Sequence, residues 1–418
     1  MDRKKNRGGL LIVHLAFFAL FPAFFFYHTA LGTGLISPFL GGYFSWVALA
    51  FTPMVTLVYL SLLRKDADYL TWMDIAFFGY LMYFAFVVLF NLVQGADEEL
   101  VRDHLVSIIQ FASIFLIFRT AEFNRPYVLA TLVVSLLAMS GLIFYLSIDG
   151  NFYLKREDSS FNTESLASYQ GFARSYFVTA VAAVVFLKPL VLRLLIYSVA
   201  IPALFLNGAR SELIGLAVFM VLSECVGARN RLLIIASALG VIALVAMNLD
   251  HLLALLPSNR TLELFDASGD TSWQARNYLL SHGLRTIADH PLLGDYGSYV
   301  PVGGAGGYIH NILSAWVDTG LFGFLYLLAL ILIPLVSVSY EMATRSAAET
   351  SKDLILVFGL LASATLLVFT AKNFTDPLIP IALGRYAYYR TLAAARRRQP
   401  RNSFSRPLGA GWTRRAIQ

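Results

Sequence analysis

The sequence is poor in cysteine and in charge, and both shortages limit what the protein can be. Its single cysteine, Cys225, excludes an intramolecular disulfide and a cysteine-based metal cluster. Only 14% of its 418 residues are charged, whereas 58% are hydrophobic, and the mean hydropathy is +0.66. A soluble domain carries far more charge. These numbers exclude an ordinary soluble enzyme and indicate a polytopic membrane protein.

Several familiar motifs are also missing. The sequence has no P-loop, no dinucleotide fingerprint and no His/Asp/Glu cluster with metal-ligand spacing, so we expect neither a cofactor nor a metal site. It has no internal repeat of the kind that marks the inverted halves of transporters. The net charge of +6 could suggest nucleic acid, but the basic residues lie between apolar runs and in the tail. They are better explained by membrane topology, and no nucleic acid is expected.

Twelve apolar runs are present, most of them long enough to cross a bilayer as a helix. They cover residues 9–30, 42–63, 72–93, 104–118, 126–148, 173–187, 190–206, 211–226, 232–247, 312–336, 354–370 and 379–395. The first run follows MDRKKNRGG without a small-residue cleavage site, which indicates a retained signal-anchor. We therefore predict an all-α fold of about twelve transmembrane helices, forming one integral membrane domain over residues 1–418.

The basic residues alternate between loops as the positive-inside rule requires. The predicted cytoplasmic segments carry Arg3, Lys4, Lys5 and Arg7; Arg64 and Lys65; Arg119 and Arg125; Lys188 and Arg193; Arg229 and Arg231; Arg345 and Lys352; and Arg396, Arg397 and Arg398 in a basic tail at 396–418. The predicted outer segment 94–103 is acidic instead. This pattern predicts that both termini are cytoplasmic and that the tail lies near membrane lipids.

Two long outer loops remain, 149–171 and 249–309. The second precedes the tenth span and contains SWQARNYLLSHGLRTIADH, whose apolar residues have helical spacing. Pro291 and the glycines from Gly294 to Gly307 then favour irregular backbone. Long polar loops on one face of a membrane bundle are a usual place for a functional site.

Some cations fall on this outer side, where the topology rule disfavours them. They are Arg102, Lys155, Arg156, Arg174, Arg210, Arg260, Arg276, Arg285, Lys372 and Arg385. In NGARSEL, Gly208 permits a tight turn and Ser211 can cap the next helix. Arg210 there suits phosphate binding, with snorkelling to water as the alternative. Arg174 has a similar setting, although its aromatic neighbours are also typical of an interfacial belt.

A lone histidine, His310, follows the glycine-rich stretch. With an ordinary pKa near 6.5 it can accept a proton near neutral pH, although a lone histidine is often structural. Asp318, eight residues on, is expected on the same helix face, where it contacts substrate or only packs. Tyr308 is expected to stack on a sugar or to belong to an aromatic belt. Arg276, in the loop 249–309, is expected either to bind substrate or to lie on the solvated face of a helix.

The residues also carry a resemblance. NGARSELIGLAVF resembles the (S/G)-x-R-(G/S)-x-L segment of the bacterial O-antigen polymerase and O-antigen ligase superfamily. HPLLGDYGSY followed by GYIHNILSAWVDTGLFGF resembles that family's second signature, P-L-x-G-x-G, H-N-x-(L/F), an acidic residue and G-x-x-G. The motifs lie within residues 206–325, and one glycine departs from the pattern, because Tyr296 stands where the second glycine is expected and Gly297 follows it.

The resemblance implies a metal-independent, inverting glycosyltransferase of GT-C-like fold on the periplasmic face of the bacterial inner membrane. Its donor would be a glycan on undecaprenyl pyrophosphate, and its acceptor another lipid-linked repeat unit or lipid A–core. Arg210 and Arg276 would bind pyrophosphate, and His310 would activate or position the acceptor hydroxyl. We further predict that substrate is bound by Arg174, Arg260, Tyr308, Asn311 and Asp318. A flippase and a chain-length regulator are further expected partners.

Polymerase and ligase share these motifs. SWQAR and the glycine-rich GGAGGY before the histidine favour the polymerase, of O-antigen in lipopolysaccharide biosynthesis or of exopolysaccharide. The ligase is the main alternative, and transfer of a glycan to protein is a third. Outside this class, a transporter of lipid-linked sugars would need polar residues near the midplane, and a non-catalytic scaffold would leave Arg210 and His310 dispensable.

Overall fold

A computed structural model shows the chain as a bundle of α-helices, with no β-strand in the residues it describes. These are 7–37, 39, 43–152, 169–227, 231–248, 251, 259, 261–262, 271–346 and 349–398. The helices are α1 (Arg7–Leu20), α2 (Pro22–Gly32), α3 (Tyr43–Lys65), α4 (Trp72–Val93), α5 (Glu98–Thr120), α6 (Pro126–Leu146), α7 (Tyr169–Val184), α8 (Leu190–Asn207), α9 (Arg210–Gly227), α10 (Arg231–Met247), α11 (Thr271–Asp289), α12 (Val300–Gly303), α13 (Leu313–Thr344), α14 (Lys352–Thr370) and α15 (Leu378–Arg398).

Within the described residues, eight helical segments are long and apolar enough to cross a bilayer. One runs through α1 and α2 together, and the others are α3, α4, α5, α6, α8, α13 and α14. The four other predicted spans also fall on helices, but α7 and α10 have only 16 and 17 residues, and α9 and α15 carry several charges. A 16-residue helix rises about 24 Å, less than the roughly 30 Å of a bilayer core. The protein is an all-helical, multi-pass membrane protein, and the number twelve stays a prediction.

The most polar predicted span, α15, lies inside the bundle. Its residues from Leu378 to Tyr389 are buried, and it packs against α5 and α14. The approach to α5 is close at Gly384, where a Cβ atom would lie 2.5 Å from the backbone oxygen of Phe115. Neighbouring helices therefore cover α15, which explains how a helix with buried charge can belong to a membrane protein.

Arg385 of α15 lies at one end of the bundle, where α5 finishes at Thr120 and α14 begins at Lys352. This end is called the basic end. The Arg385 guanidinium pairs with Asp353 and donates to the backbone oxygen of Ala121 at 2.8 Å. The expectation that Arg385 belongs with the outer cations is wrong, because both its partners lie at the basic end.

A second buried arginine fixes α5 at the same end. Arg119 pairs with Asp74 of α4 (Nε–Oδ1 2.8 Å) and donates to Thr391 of α15 (3.0 Å). Both charges of this pair are fully buried. Removing one partner of such a pair costs about 3–5 kcal/mol, so α4, α5 and α15 are held in register here.

The long loop before α13 is partly helical, as predicted. α11 covers Thr271–Asp289 and contains the SWQAR pattern. Residues 153–168, 249–250, 252–258, 263–270 and 399–418 lie outside the described part of the chain. So does Arg260, which was predicted to bind substrate.

Candidate functional site

The segment after α11 folds against the first turns of α13. α13 changes direction at Gly320, whose φ of 69° is left-handed, and the backbone N–H of Leu321 there donates to the oxygen of Leu292 (3.0 Å). A Cβ atom on Gly320 would lie 2.6 Å from that same oxygen. One on Gly294 would lie 2.3 Å from the oxygen of Val317. These two glycines of the second motif let two backbones touch where any side chain would separate them.

Asp318 fastens this segment to α13. Its carboxylate accepts hydrogen bonds from the backbone N–H of Gly297 and from the hydroxyl of Tyr299, both at 3.1 Å, and the residue is 1% exposed. The structure therefore gives Asp318 two partners within the protein and does not bring it to the cavity described next. The predicted contact of Asp318 with substrate has no support in this geometry.

The shifted glycine of the second motif has a clear conformational role. Gly297, one position later than in the family pattern, has a φ of 72°, which glycine adopts without strain. Tyr296 occupies the motif position instead, and its hydroxyl lies 2.8 Å from His104 Nδ1 of α5. Relative to the family pattern, the residue with a left-handed backbone is therefore Gly297, one position later, and Tyr296 adds a side-chain contact with α5.

His310 lies just before α13 rather than on it. The helix begins at Leu313, whose N–H donates to the side-chain oxygen of Asn311 at 2.9 Å. The Ser314 hydroxyl donates to the backbone oxygen of Asn311 (2.7 Å) and accepts from the N–H of Phe374 (3.0 Å). Asn311 therefore shapes the start of α13, and it does not line the cavity. Through Ser314 the histidine segment is tied to the loop between α14 and α15.

A polar cavity of about 270 Å³ lies between these two segments, α5 and the start of α7. Tyr308 and His310 face it, with ring centroids 5.0 Å apart. The lining residues are Leu100, Asp103, His104, Ser107, Gln110, Gln170, Arg174, Ala305, Tyr308, His310, Ala371, Lys372, Asn373, Thr375, Asp376 and Pro377. The cavity lies where α14 ends, opposite the basic end.

In the part of the chain that the structure describes, two cations line the cavity, and each has a carboxylate partner. Arg174 at the start of α7 bonds Asp376 at 3.0 Å and keeps 23% of its side chain exposed. Lys372 bonds Glu212 at 2.6 Å, with side-chain exposures of 6% and 0%. Glu212 belongs to the NGARSEL motif, so the first motif reaches the cavity through Lys372.

The imidazole of His310 is neutral at physiological pH. Burial, and then the positive charges of Arg276 and Lys372, lower the pKa of His310 from 6.5 to about 4. The ordinary value assumed from the sequence is therefore wrong for this site. A neutral imidazole accepts a hydrogen bond from a hydroxyl through one ring nitrogen.

Arg210 and Arg276 come near this site without lining the cavity. Arg276 lies half-buried on α11, close enough to act on the charge of His310. Arg210 is the first residue of α9, half-buried directly after the predicted turn at Gly208, whose φ of 72° confirms that turn. The predicted cap at Ser211 is wrong, because Ser211 lies inside the helix and its hydroxyl donates to Glu212.

Sequence reasoning gave the loop between α14 and α15 no role. Lys372 was counted as an outer cation, and Asp376 was not considered, although polar KNFTDP between two apolar runs was a usable signal. The polar face of α5 was missed as well. Asp103, Ser107 and Gln110 are spaced i, i+4, i+7, which places them on one side of the helix, and all three line the cavity.

A scan against models of known protein families finds no match, and a search among curated proteins finds no significant relative. Fold and site together define a class: an all-helical, multi-pass membrane protein with a polar, cation-containing cavity at one end of its bundle.

Proposed function

We propose that this protein is a metal-independent, inverting glycosyltransferase whose donor is a glycan on undecaprenyl pyrophosphate, and that it polymerises such glycans at the periplasmic face of a bacterial inner membrane. The observation that carries the proposal is the convergence at the cavity. Segments far apart in sequence bring Arg174 and Lys372 to the cavity beside neutral His310, and Arg276 lies close enough to lower the pKa of that histidine. Cations beside a hydrogen-bond acceptor suit transfer of a sugar from a phosphate leaving group.

The cations match the charge that develops during such a transfer. As the bond from sugar to pyrophosphate breaks, negative charge grows on the departing oxygen, and fixed donors stabilise it. Arg174 offers a planar fork of donors, and its pair with Asp376 is partly exposed, so phosphate oxygens can compete for it. Lys372 is held in place by buried Glu212. No metal is required for this stabilisation.

His310 orients the acceptor in this mechanism. The acceptor hydroxyl oxygen attacks the anomeric carbon from the face opposite the pyrophosphate, the new C–O bond forms, and the old C–O electron pair leaves with the lipid pyrophosphate. The hydroxyl donates a hydrogen bond to neutral His310 as it approaches. With a pKa of about 4, His310 is a weak base, which favours positioning the hydroxyl, with its proton passing on to water.

Polymerase is proposed ahead of ligase because of the SWQAR and GGAGGY patterns, and ligase is the alternative within the same chemistry. A transporter fits less well, since the charged residues of the cavity gather at one end of the bundle rather than at its middle.

The test is a gel profile of surface polysaccharide from a deletion strain, beside analysis of the undecaprenyl-linked pool. Single repeat units on lipid A–core, with the longer ladder lost, would support the polymerase. Bare core with long polymer left on undecaprenyl pyrophosphate would indicate the ligase. Unchanged lipopolysaccharide, exopolysaccharide and lipid-linked pools would contradict the proposal.

A matched pair of variants tests the cation role. Arg174→Lys keeps the charge but loses the planar fork at a residue that lines the cavity, and we expect complementation activity to fall about 100-fold, as for loss of a donor to the transition state. Arg285→Lys makes the same change on the exposed face of α11 and should leave activity unchanged. Equal activity of both variants, at equal amounts in the membrane, would argue against pyrophosphate binding by Arg174.

A further inference from the structure

A second cavity, of about 280 Å³, opens at the basic end of the bundle. It lies between the connection from α7 to α8, the end of α9 and the start of α14. Its charged lining residues are Lys188, Arg193, Glu224 and Lys352. None of them belongs to the candidate site. The two cavities lie at opposite ends of α14, whose 19 residues rise about 28 Å.

Glu224, the one carboxylate among the described residues of this cavity, is already engaged. Glu224 binds Arg193 through two bonds of 2.8 Å and also accepts the hydroxyl of Tyr197 at 2.9 Å. The remaining terminal nitrogen of Arg193 donates to the backbone oxygen of Lys188 at 3.0 Å. Arg193 and Glu224 thus form a closed, neutral pair that fixes one wall.

The other two cations, Lys188 and Lys352, also line the cavity, and Glu224 is the one carboxylate among the described lining residues. Among the described lining residues, three positive groups and one negative group leave a net charge of +2 in a space of about 280 Å³. Lys352 is half-buried, so water screens this charge incompletely. Both lysines line this cavity, and an anion bound there would accept hydrogen bonds from their ammonium groups.

We propose that this cavity binds a phosphate group through Lys188 and Lys352. The cavity lies among the loops that the charge pattern places on the cytoplasmic side, where anionic lipid headgroups are concentrated. An anionic phospholipid and free phosphate share the chemistry that the cavity recognises. This inference does not depend on the proposed glycosyltransferase function.

The experiment uses the whole purified chain in a neutral detergent. Bound lipid is counted by native mass spectrometry, and thermal unfolding is followed with phosphatidylglycerol, phosphatidylcholine or inorganic phosphate added. We expect phosphatidylglycerol to bind and to raise the unfolding temperature more than phosphatidylcholine does. If inorganic phosphate alone gives the full effect, the source is free phosphate and the site stands. Equal effects of both lipids, with none from inorganic phosphate, would overturn the proposal.

Variants connect the effect to the cavity. We expect Lys188→Gln with Lys352→Gln to weaken binding of the effective anion more than about tenfold, since both charged donors are lost. Lys188→Gln alone, at an exposed residue, should show part of the loss in a folded protein. The control, Arg64→Gln with Arg397→Gln, removes the same charge from exposed residues at the basic end and should bind as the wild type does. A control as weak as the cavity variant would show diffuse surface attraction and refute the site.

Discussion

The buried pair of Lys372 and Glu212 allows the construction of the candidate site to be tested quantitatively. The two charges lie 2.6 Å apart, with side-chain exposures of 6% and 0%. At an effective dielectric constant of about 20, Coulomb's law gives an attraction of roughly 6 kcal/mol at that distance. Lys372→Met leaves the Glu212 carboxylate buried and unpaired, for which we expect a net loss of about 3–5 kcal/mol in the free energy of unfolding.

The assay is a double-mutant cycle with Lys372→Met, Glu212→Gln and the two together. Unfolding of the purified protein in mixed micelles with rising dodecyl sulfate is followed by tryptophan fluorescence. The double variant keeps no unpaired charge, so its cost should fall below the sum of the single costs by about 2 kcal/mol or more. Single costs that add within about 0.5 kcal/mol would refute the buried pair. If Lys372 also binds donor phosphate, the folded double variant should still lack transfer activity.

Three further predictions concern the cavity and its supports. Asp318→Ala removes two hydrogen bonds to a carboxylate and should cost about 3–5 kcal/mol in unfolding free energy, with faster proteolysis of the segment before α12. Asp318→Asn should cost less. Wild-type stability of the alanine variant would contradict the attachment of this segment to α13 by Asp318. Gly320→Ala places a Cβ atom 2.6 Å from the backbone oxygen of Leu292 at a φ of 69° and should lower the unfolding temperature markedly. The control Gly141→Ala, in open space on α6, should not lower it. Equal unfolding temperatures of the two variants would contradict the close contact between Gly320 and Leu292. The folded pKa of His310, about 4, lies below its unfolded value of 6.5, so its neutral form stabilises the fold above pH 6.5 and this contribution is lost as the pH falls toward 4. His310→Gln should therefore flatten the unfolding temperature between pH 6.5 and 4.5, and an unchanged slope would show an ordinary, solvated imidazole.

The apolar runs were the most predictable part of the fold. The run 72–93 coincides with α4, Trp72–Val93, because it is mostly apolar and begins directly after Thr71, which forms a capping box with Asp74. The run 379–395 was harder to interpret, since α15 is polar by composition and is buried by other helices rather than by lipid. A rule based on transfer to lipid cannot recognise such a helix.

The site was less predictable than the helices, because it depends on ion pairs between residues that are far apart in the sequence. The fold brings three of the predicted site residues, His310, Tyr308 and Arg174, to one cavity, and their roles toward a substrate stay predictions. The motifs could not show that Lys372 completes this cavity, because its partner Glu212 lies 160 residues away. For the same reason, the topology rule placed Arg385 at the wrong end. A cation's position in a membrane bundle depends on its carboxylate partner as well as on the loop that carries it.

The side chain of Ser314 links the segment that carries His310 to the loop that carries Lys372. Asn311 accepts the Ser314 hydroxyl, and Ser314 accepts the N–H of Phe374, two residues after Lys372. A displacement of either loop would therefore be transmitted to the other through two hydrogen bonds. In the proposed reaction, transfer between two bound groups would depend steeply on their separation, so a link between the two segments would matter more than a contact that fixed either residue alone. A phosphate held by Lys372 and a hydroxyl held by His310 would keep one spacing while the surrounding helices move.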